Sequence, residues 1–278
     1  MSETKIIKIM VGIIISIAVL AGCQEQNSPT SLGNRQFSIG SGTPPDEFFT
    51  YSDAILLYDT TNVYGIINLS DMRYDYINQD NQVWSKFISS ASANFWENPE
   101  NDVDSLFLPI NEISVNGYTL IELTTSKNVF AGPAPIYFGT GSNHISILPN
   151  QYIPAFDTNL TLLPVLRFTN IHSRDTIFAN QEIPLIWSGS SNGFAFLIIQ
   201  QLTTEDLPEG SIIYSISGYI RNDGQFIINA GDLSDFPEGE YMISVGRYEP
   251  YFATLSNGKR IAITDASGHT VFVYLKHQ

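Results

Sequence analysis

Apolar positions in this chain come in short runs, each closed by turn-forming residues. Ala54–Tyr58 and Val63–Ile67 are two such runs, bounded by Asp, Thr and Asn, which is how strands read in a sequence. Ile113–Leu120 alternates around Asn116-Gly117. That dipeptide is the strongest hairpin signal, because both central residues of the turn need positive φ. The second half is more regular, with runs at Ile183–Trp187, Phe194–Ile199, Ile212–Ile220, Phe226–Ile228, Tyr241–Val245, Ile261–Ile263 and Val271–Leu275. Ser188–Gly193, Asn222-Asp223-Gly224, Asn257-Gly258 and Ser267-Gly268 punctuate them. Seven short strands at this spacing predict a β-sandwich over residues 165–278. Two turns of one kind, Leu207-Pro208-Glu209-Gly210 and Phe236-Pro237-Glu238-Gly239, each feed an alternating strand. Two copies fall short of a repeat array.

One segment has a different period. Trp84, Phe87, Ile88, Ala91 and Phe95 recur at helical spacing, with Ser85, Lys86, Ser89, Ser90 and Ser92 between them. This predicts one amphipathic helix at about 82–97, ended by Pro99, which disfavours helical backbone at Asn98. The fold class expected is therefore mostly β: an N-terminal β-rich (α+β) domain over 36–164 containing that helix, then the sandwich.

The N-terminus is built for export. Lys5 and Lys8 precede an apolar run from Ile9 to Leu20, and small residues follow. This is the layout of a secretory signal peptide, 1–22. The twelve-residue run is short of the roughly 20 that a membrane-spanning helix needs. Leu20-Ala21-Gly22-Cys23 resembles the lipobox of bacterial lipoproteins. The resemblance implies cleavage before Cys23, diacylglycerol on its sulfur and an acylated mature N-terminus. Cys23 is the single cysteine of the chain, so no disulfide within the chain is possible. More than one acyl chain makes such an anchor effectively permanent. Gln24 departs from the aspartate that tends to retain such proteins at the inner membrane, so the resemblance implies the outer membrane, facing the periplasm or the cell surface. Residues 23–35, with Ser28-Pro29-Thr30-Ser31 and Gly33, read as a flexible tether.

Charge narrows the partners. The formal net charge is −15, and the leader carries two of the lysines. That sign argues against nucleic acid, where Lys and Arg must meet phosphates, and against flat docking on anionic lipid. An acidic surface suits a soluble secreted body.

Candidate chemistry is sparse. There is no G-x-S-x-G elbow and no zinc signature. The four histidines, His144, His172, His269 and His277, are scattered and read as surface or turn residues. Glu100, Asp102 and Asp104 alternate beside Asn98 and Asn101, oxygen ligands of the kind calcium takes. Ser105 stands where an EF-hand needs glycine, so the run is a weak calcium candidate that reads first as a solvated acidic loop, and no metal or cofactor is expected. Gly139-Thr140-Gly141 lacks the third glycine and lysine of a phosphate cradle. Among the aromatics, Trp84, Phe95 and Trp187 are expected in cores. Trp96, Tyr74 and Tyr76 are the candidates for ligand contact, with a glycan as the ligand.

Residues 166–278 resemble the C-terminal immunoglobulin-like or fibronectin-III-like domains of bacterial surface lipoproteins. The likeness rests on Ile183–Gly189, an early strand with a buried tryptophan, and Gly239–Val245, a late strand with its tyrosine. The disulfide cysteines of antibody domains are absent, so only the generic sandwich carries over, and such domains are often spacers. The expected function is a lipid-anchored protein with a non-catalytic binding or structural role at the envelope. A glycan-binding lipoprotein of an uptake system and a hydrolase with a dispersed site are the alternatives. The expected partners are the membrane, through Cys23, and a glycan or an envelope protein.

Overall fold

A computed structural model describes residues 38–40, 63–78, 80, 82–98, 108–124, 129–131, 138, 141–189, 193–202 and 212–277. The signal peptide, the lipobox, Cys23, the run Ala54–Tyr58 and the calcium candidates Glu100, Asp102 and Asp104 lie outside these residues.

The described residues are mostly strand, and none is helical. Three sheets form. The largest joins β1 (Ser38–Gly40), β14 (Ile212–Arg221), β13 (Phe194–Gln201), β16 (Gly239–Thr254), β17 (Arg260–Lys276), β2 (Val63–Ile77), β3 (Val83–Phe95), β7 (Val129–Ala131) and β6 (Ile121–Thr124), in that lateral order. Beyond the end of β2, β11 (Thr176–Phe178) takes its place beside β17. A second sheet contains β10 (Arg167–Phe168), β12 (Ile183–Ser188) and β15 (Gln225–Ile228). The third is β5 (Tyr118–Thr119), β4 (Glu112–Val115), β8 (Ser142–Leu148) and β9 (Phe156–Thr161).

The two small sheets cover two lengths of one face of the large sheet. Period-2 alternation shows this along β17. Its odd-numbered residues Val271, Val273 and Leu275 enter one core with Leu185, Trp187, Phe226 and Ile228 of the second sheet. Ile261 and Ile263 enter another with Ile113, Val115, Ile145 and Ile147 of the third. On β2 and β3, Ile67, Leu69, Ala91, Ala93 and Phe95 complete the latter core. Each core buries apolar side chains at roughly 25 cal/mol per Å² removed from water. The long strands β16 and β17 therefore contribute to both cores, while β2 and β3 contribute to the one under the third sheet.

The helix expected at about 82–97 is not formed. That segment is β3, paired antiparallel with β2 from Gly65↔Phe95 to Ile77↔Val83. The inward positions are Ser89, Ala91, Ala93 and Phe95, and Trp84 and Phe87 are 55% and 56% exposed. The reason is energetic: four serines in thirteen residues give a poor helix, whereas thirteen register pairs with β2 satisfy the strand's backbone along its length. The helical spacing of the large residues was a coincidence of one sequence with two periods. The Asn116-Gly117 hairpin does form, with φ of 51° and 78° at its two turn residues.

Candidate functional site

The residues with chemical potential collect between the two cores. Going along the odd face of β17, Ile261 and Ile263 give way to Asp265, Ser267 and His269 before the apolar pattern resumes at Val271. The same face of β2 carries Asp71, Arg73 and Asp75 after Ile67 and Leu69, because β2 runs parallel to β17 with Asp71 beside Ser267 and Arg73 beside His269. On β3, Ser89 lies opposite Asp71 and Ser85 opposite Asp75. The result is a polar seam across four strands.

Two clusters make up the seam. In the first, His269 Nδ1 accepts the backbone N–H of Phe168 at 3.0 Å. That fixes the other nitrogen as the protonated one, and Nε2 donates to Asp75 Oδ2 at 3.0 Å. Arg73 Nε donates to Asp75 Oδ1 at 3.0 Å, and its Nη2 donates to Ser85 Oγ at 2.8 Å. The Ser85 hydroxyl also bonds to Asp75 Oδ1. Ser173 ties this cluster to the loop before β11, donating to the Asp75 carbonyl and accepting Phe272 N–H. Burial lowers the His269 pKa to about 4, against the opposing pull of Asp75 and with help from Arg73 and Arg167. Burial pushes Asp75 the other way, but the Ser85 and Arg73 hydrogen bonds outweigh it and hold the carboxyl below its ordinary value. Charged hydrogen bonds of this kind are about twice as strong as neutral ones.

The second cluster centres on Arg247 of β16, whose side chain is wholly buried. It donates to the Gly189 and Pro164 carbonyls at 3.0 and 3.2 Å, to Ser267 Oγ at 3.1 Å and to Asp265 Oδ2 at 3.4 Å. Asp265 also accepts Leu163 N–H at 2.8 Å. The pair thus grips the segment 163–165, which crosses from one core to the other. Gly189, at φ +84°, sits so close to this segment that a Cβ would lie 2.8 Å from the Val165 carbonyl oxygen; only glycine fits there. Burial raises Asp265 and Asp71 above their ordinary values, opposed by Arg247 and by Ser89 respectively.

Ser85, Asp75 and His269 include the residue types of a hydrolytic triad, but not its order. In a triad the histidine's second nitrogen takes the proton of the nucleophile. Here that nitrogen is held by Phe168 N–H, and the serine bonds to the aspartate. The arrangement links β2, β3, β10 and β17. It offers no free general base.

The expected histidine assignment is corrected at His269, which is 1% exposed rather than a surface or turn residue. Its neighbours Ser267-Gly268 read as a turn and hid it. His144 is partly exposed and bonds Asp157 at 2.9 Å, while His172 and His277 are exposed.

The ligand candidates are not brought together. Tyr74 is 1% exposed, beside Met72 in a small cluster with Tyr76 and Ile88, and burial lifts its pKa to about 12. It is a packing residue and presents no surface to a ligand. Tyr76 is half-buried, opposite Trp84. Trp96 is half-buried at the far end of the ladder, its N–H on the Tyr64 carbonyl at 2.8 Å. Twelve residues of strand, roughly 40 Å, separate it from Tyr76. Trp187 is in its core as expected, 3% exposed, with Nε1 donating to Asn222 at 3.0 Å. Among the described residues no group of three or more His, Cys, Asp or Glu is placed to hold a metal.

The aromatics that the pattern hid in a helix are the exposed ones. Val83, Trp84 and Phe87 are 44%, 55% and 56% exposed at the start of β3, and Lys86 is exposed among them. Arg73 stacks its guanidinium 5.4 Å from the Phe87 ring centre. No family model matches this chain, and no curated protein is similar to it.

Proposed function

We propose that this chain is a lipid-anchored protein of the bacterial envelope, held through Cys23, with a non-catalytic binding or structural role. The observation that carries the non-catalytic part is the commitment of His269. Both ring nitrogens are engaged inside the body, on Phe168 and Asp75, so the one His–Asp–Ser group in the described seam serves to join sheets. The anchor rests on Leu20-Ala21-Gly22-Cys23 behind a twelve-residue apolar run. An immunoglobulin-like character for the C-terminal half is favoured by Trp187 in its core and by the Tyr241 hydroxyl, which donates to the Pro237 carbonyl at 2.8 Å, as the tyrosine corner of such domains does.

The test is mass spectrometry of the N-terminal peptide from membrane fractions, with Cys23→Ser as the control. A diacylated Cys23 at the mature N-terminus, and unprocessed precursor in the variant, support the reading. An unmodified Cys23 in the wild type overturns it.

A further inference from the structure

The exposed apolar side chains at the start of β3 stand out from the rest of the surface. Val83, Trp84 and Phe87 fall within five residues, and all five from Val83 to Phe87 are exposed. Alternation sends Val83 and Phe87 to one face of the strand and Trp84 to the other. Among the described residues β7 pairs β3 only at Ser92 and Ala93, and apolar groups on both faces of the unpaired start of the strand serve no sandwich core; they suit an edge immersed in an apolar medium.

Where the chain enters the fold identifies that medium. One row across the large sheet runs Ser215–Gln200–Met242–Phe272 by register, then from the adjoining Val271 to Asp75 and Ser85. Val83 lies two residues beyond this row. β1 lies beyond it on the same side, with Ser38 beside Ile212 and Gly40 beside Tyr214. The chain therefore enters the sheet along the same edge that carries the β2–β3 hairpin tip. Six strand spacings separate β1 from β3, about 29 Å at 4.8 Å each. The fifteen steps from Cys23 to Ser38 cover at most about 50 Å. A bilayer holding lipidated Cys23 is thus within reach of the tip.

We propose that the hairpin tip, Val83 and Trp84 foremost with Phe87 behind them, inserts into the interfacial region of the phospholipid bilayer that carries the anchor. This rests on the lipoprotein reading above. Tryptophan is a residue that settles at the headgroup level of a membrane, and lysine snorkels its ammonium to that level; Lys86 lies between the two aromatics. The same edge also carries Tyr274, with the Lys276 ammonium 5.8 Å from its ring centre, and the carboxylates Asp80, Glu238 and Glu240. With charge of both signs present, insertion is driven by apolar side chains, and anionic lipid adds little. The tip is a second contact that fixes how the body stands on the membrane, in addition to the lipid that keeps it there.

The experiment uses the full lipidated protein in phosphatidylcholine vesicles whose acyl chains are brominated, with tryptophan fluorescence as the readout. Trp187 is enclosed by its core, so quenching reports Trp84 and Trp96. Wild type is expected to be quenched by the brominated lipid, and Trp84→Phe to lose roughly twofold or more of that quenching. Trp96→Phe is expected to keep it. Replacing a third of the phosphatidylcholine with phosphatidylglycerol is expected to change neither. A Cys23-lipidated protein whose quenching is the same with and without Trp84 overturns insertion and leaves the anchor standing; the tip is then a surface for a protein or a glycan. Wild-type protein purified from membranes with Cys23 unmodified overturns the anchor itself. A dependence on phosphatidylglycerol overturns the apolar mechanism. Because Trp84 is more than half exposed, its substitution leaves the fold in place, and acrylamide quenching of the vesicle-free protein checks that.

Discussion

Acid is expected to weaken this protein through His269. An imidazole in an unfolded chain ionises near 6.5, while His269 in the seam does so at about 4. Between these values the unfolded chain binds a proton that the folded one does not, so stability falls as the pH drops through the interval. Below about 4 both states hold the proton and this loss stops growing. An interval of about 2.5 units, at 1.36 kcal/mol each, corresponds to roughly 3 kcal/mol. Three carboxylates also titrate. Asp75 is held below its ordinary value, so its stabilisation is lost at still lower pH. Asp71 and Asp265 are raised by burial, so the folded form takes up their protons first and they act in the opposite direction. Comparison with His269→Gln removes the terms that both proteins share. The glutamine amide can still donate to Asp75 but leaves the buried Phe168 N–H without its acceptor, at a cost of about 1–3 kcal/mol near neutral pH. Urea unfolding from pH 7.5 to 4 is the assay. The wild type should begin the more stable and lose that advantage by pH 4, with the steepest convergence between 6.5 and 4. Parallel pH profiles for the two proteins would show that His269 titrates normally in the folded state, and the account of a buried neutral imidazole would be wrong.

Two further outcomes test the seam and the strand. Arg247→Met strands the buried Asp265 carboxylate and should cost about 3–5 kcal/mol in urea unfolding, while Arg247→Met with Asp265→Leu should recover only part of it, because the Leu163 N–H and the Pro164 and Gly189 carbonyls stay without their partners; an unaffected single variant would mean that the pair does not hold the 163–165 crossing. Phe95→Ala removes a side chain that is 1% exposed and should cost about 3–5 kcal/mol, whereas Phe87→Ala should cost about 0.5 kcal/mol or less as an exposed substitution; an equally large loss at both would restore the helical stripe, which contains both.

Local signals in the chain were legible where turn chemistry and period agree. Asn116-Gly117 specified its hairpin because only residues tolerant of positive φ suit that turn, and the apolar run Ile183–Trp187 marked a core strand, in which every second residue is buried. The amphipathic stripe of Trp84–Phe95 misled for a physical reason. Twelve residues with four large apolar side chains satisfy a helical period and a strand period in part, and choosing between them requires knowing that β2 lies alongside. That partner is residues away in sequence, but its register involves the parallel pairing with β17, nearly two hundred residues on. No window of the sequence contains it.

The seam was hidden by the same locality. Ile261–Ile263 and Val271–Leu275 looked like two strands with a polar turn between them, because Asp, Ser, Gly and His usually interrupt strands. They are one strand, paired without a break to β16 from Arg260 to Leu275, and alternation along it sets Ile261, Ile263, Asp265, Ser267, His269, Val271, Val273 and Leu275 on one face. The polar middle is tolerated because each charged or polar group meets a partner on a neighbouring element: Asp265 on Arg247, Ser267 on Arg247, His269 on Asp75 and Phe168. A buried charge without those partners would destabilise the sheet by several kcal/mol, so the seam and the crossing segment 163–168 that supplies backbone donors and acceptors to it depend on each other. Continuity across the polar stretch comes from the pairing with β16 and β2, which carries the strand through it. What no local pattern supplies is the identity of the partners, and these make His269 a fastener between β17, β2 and β10.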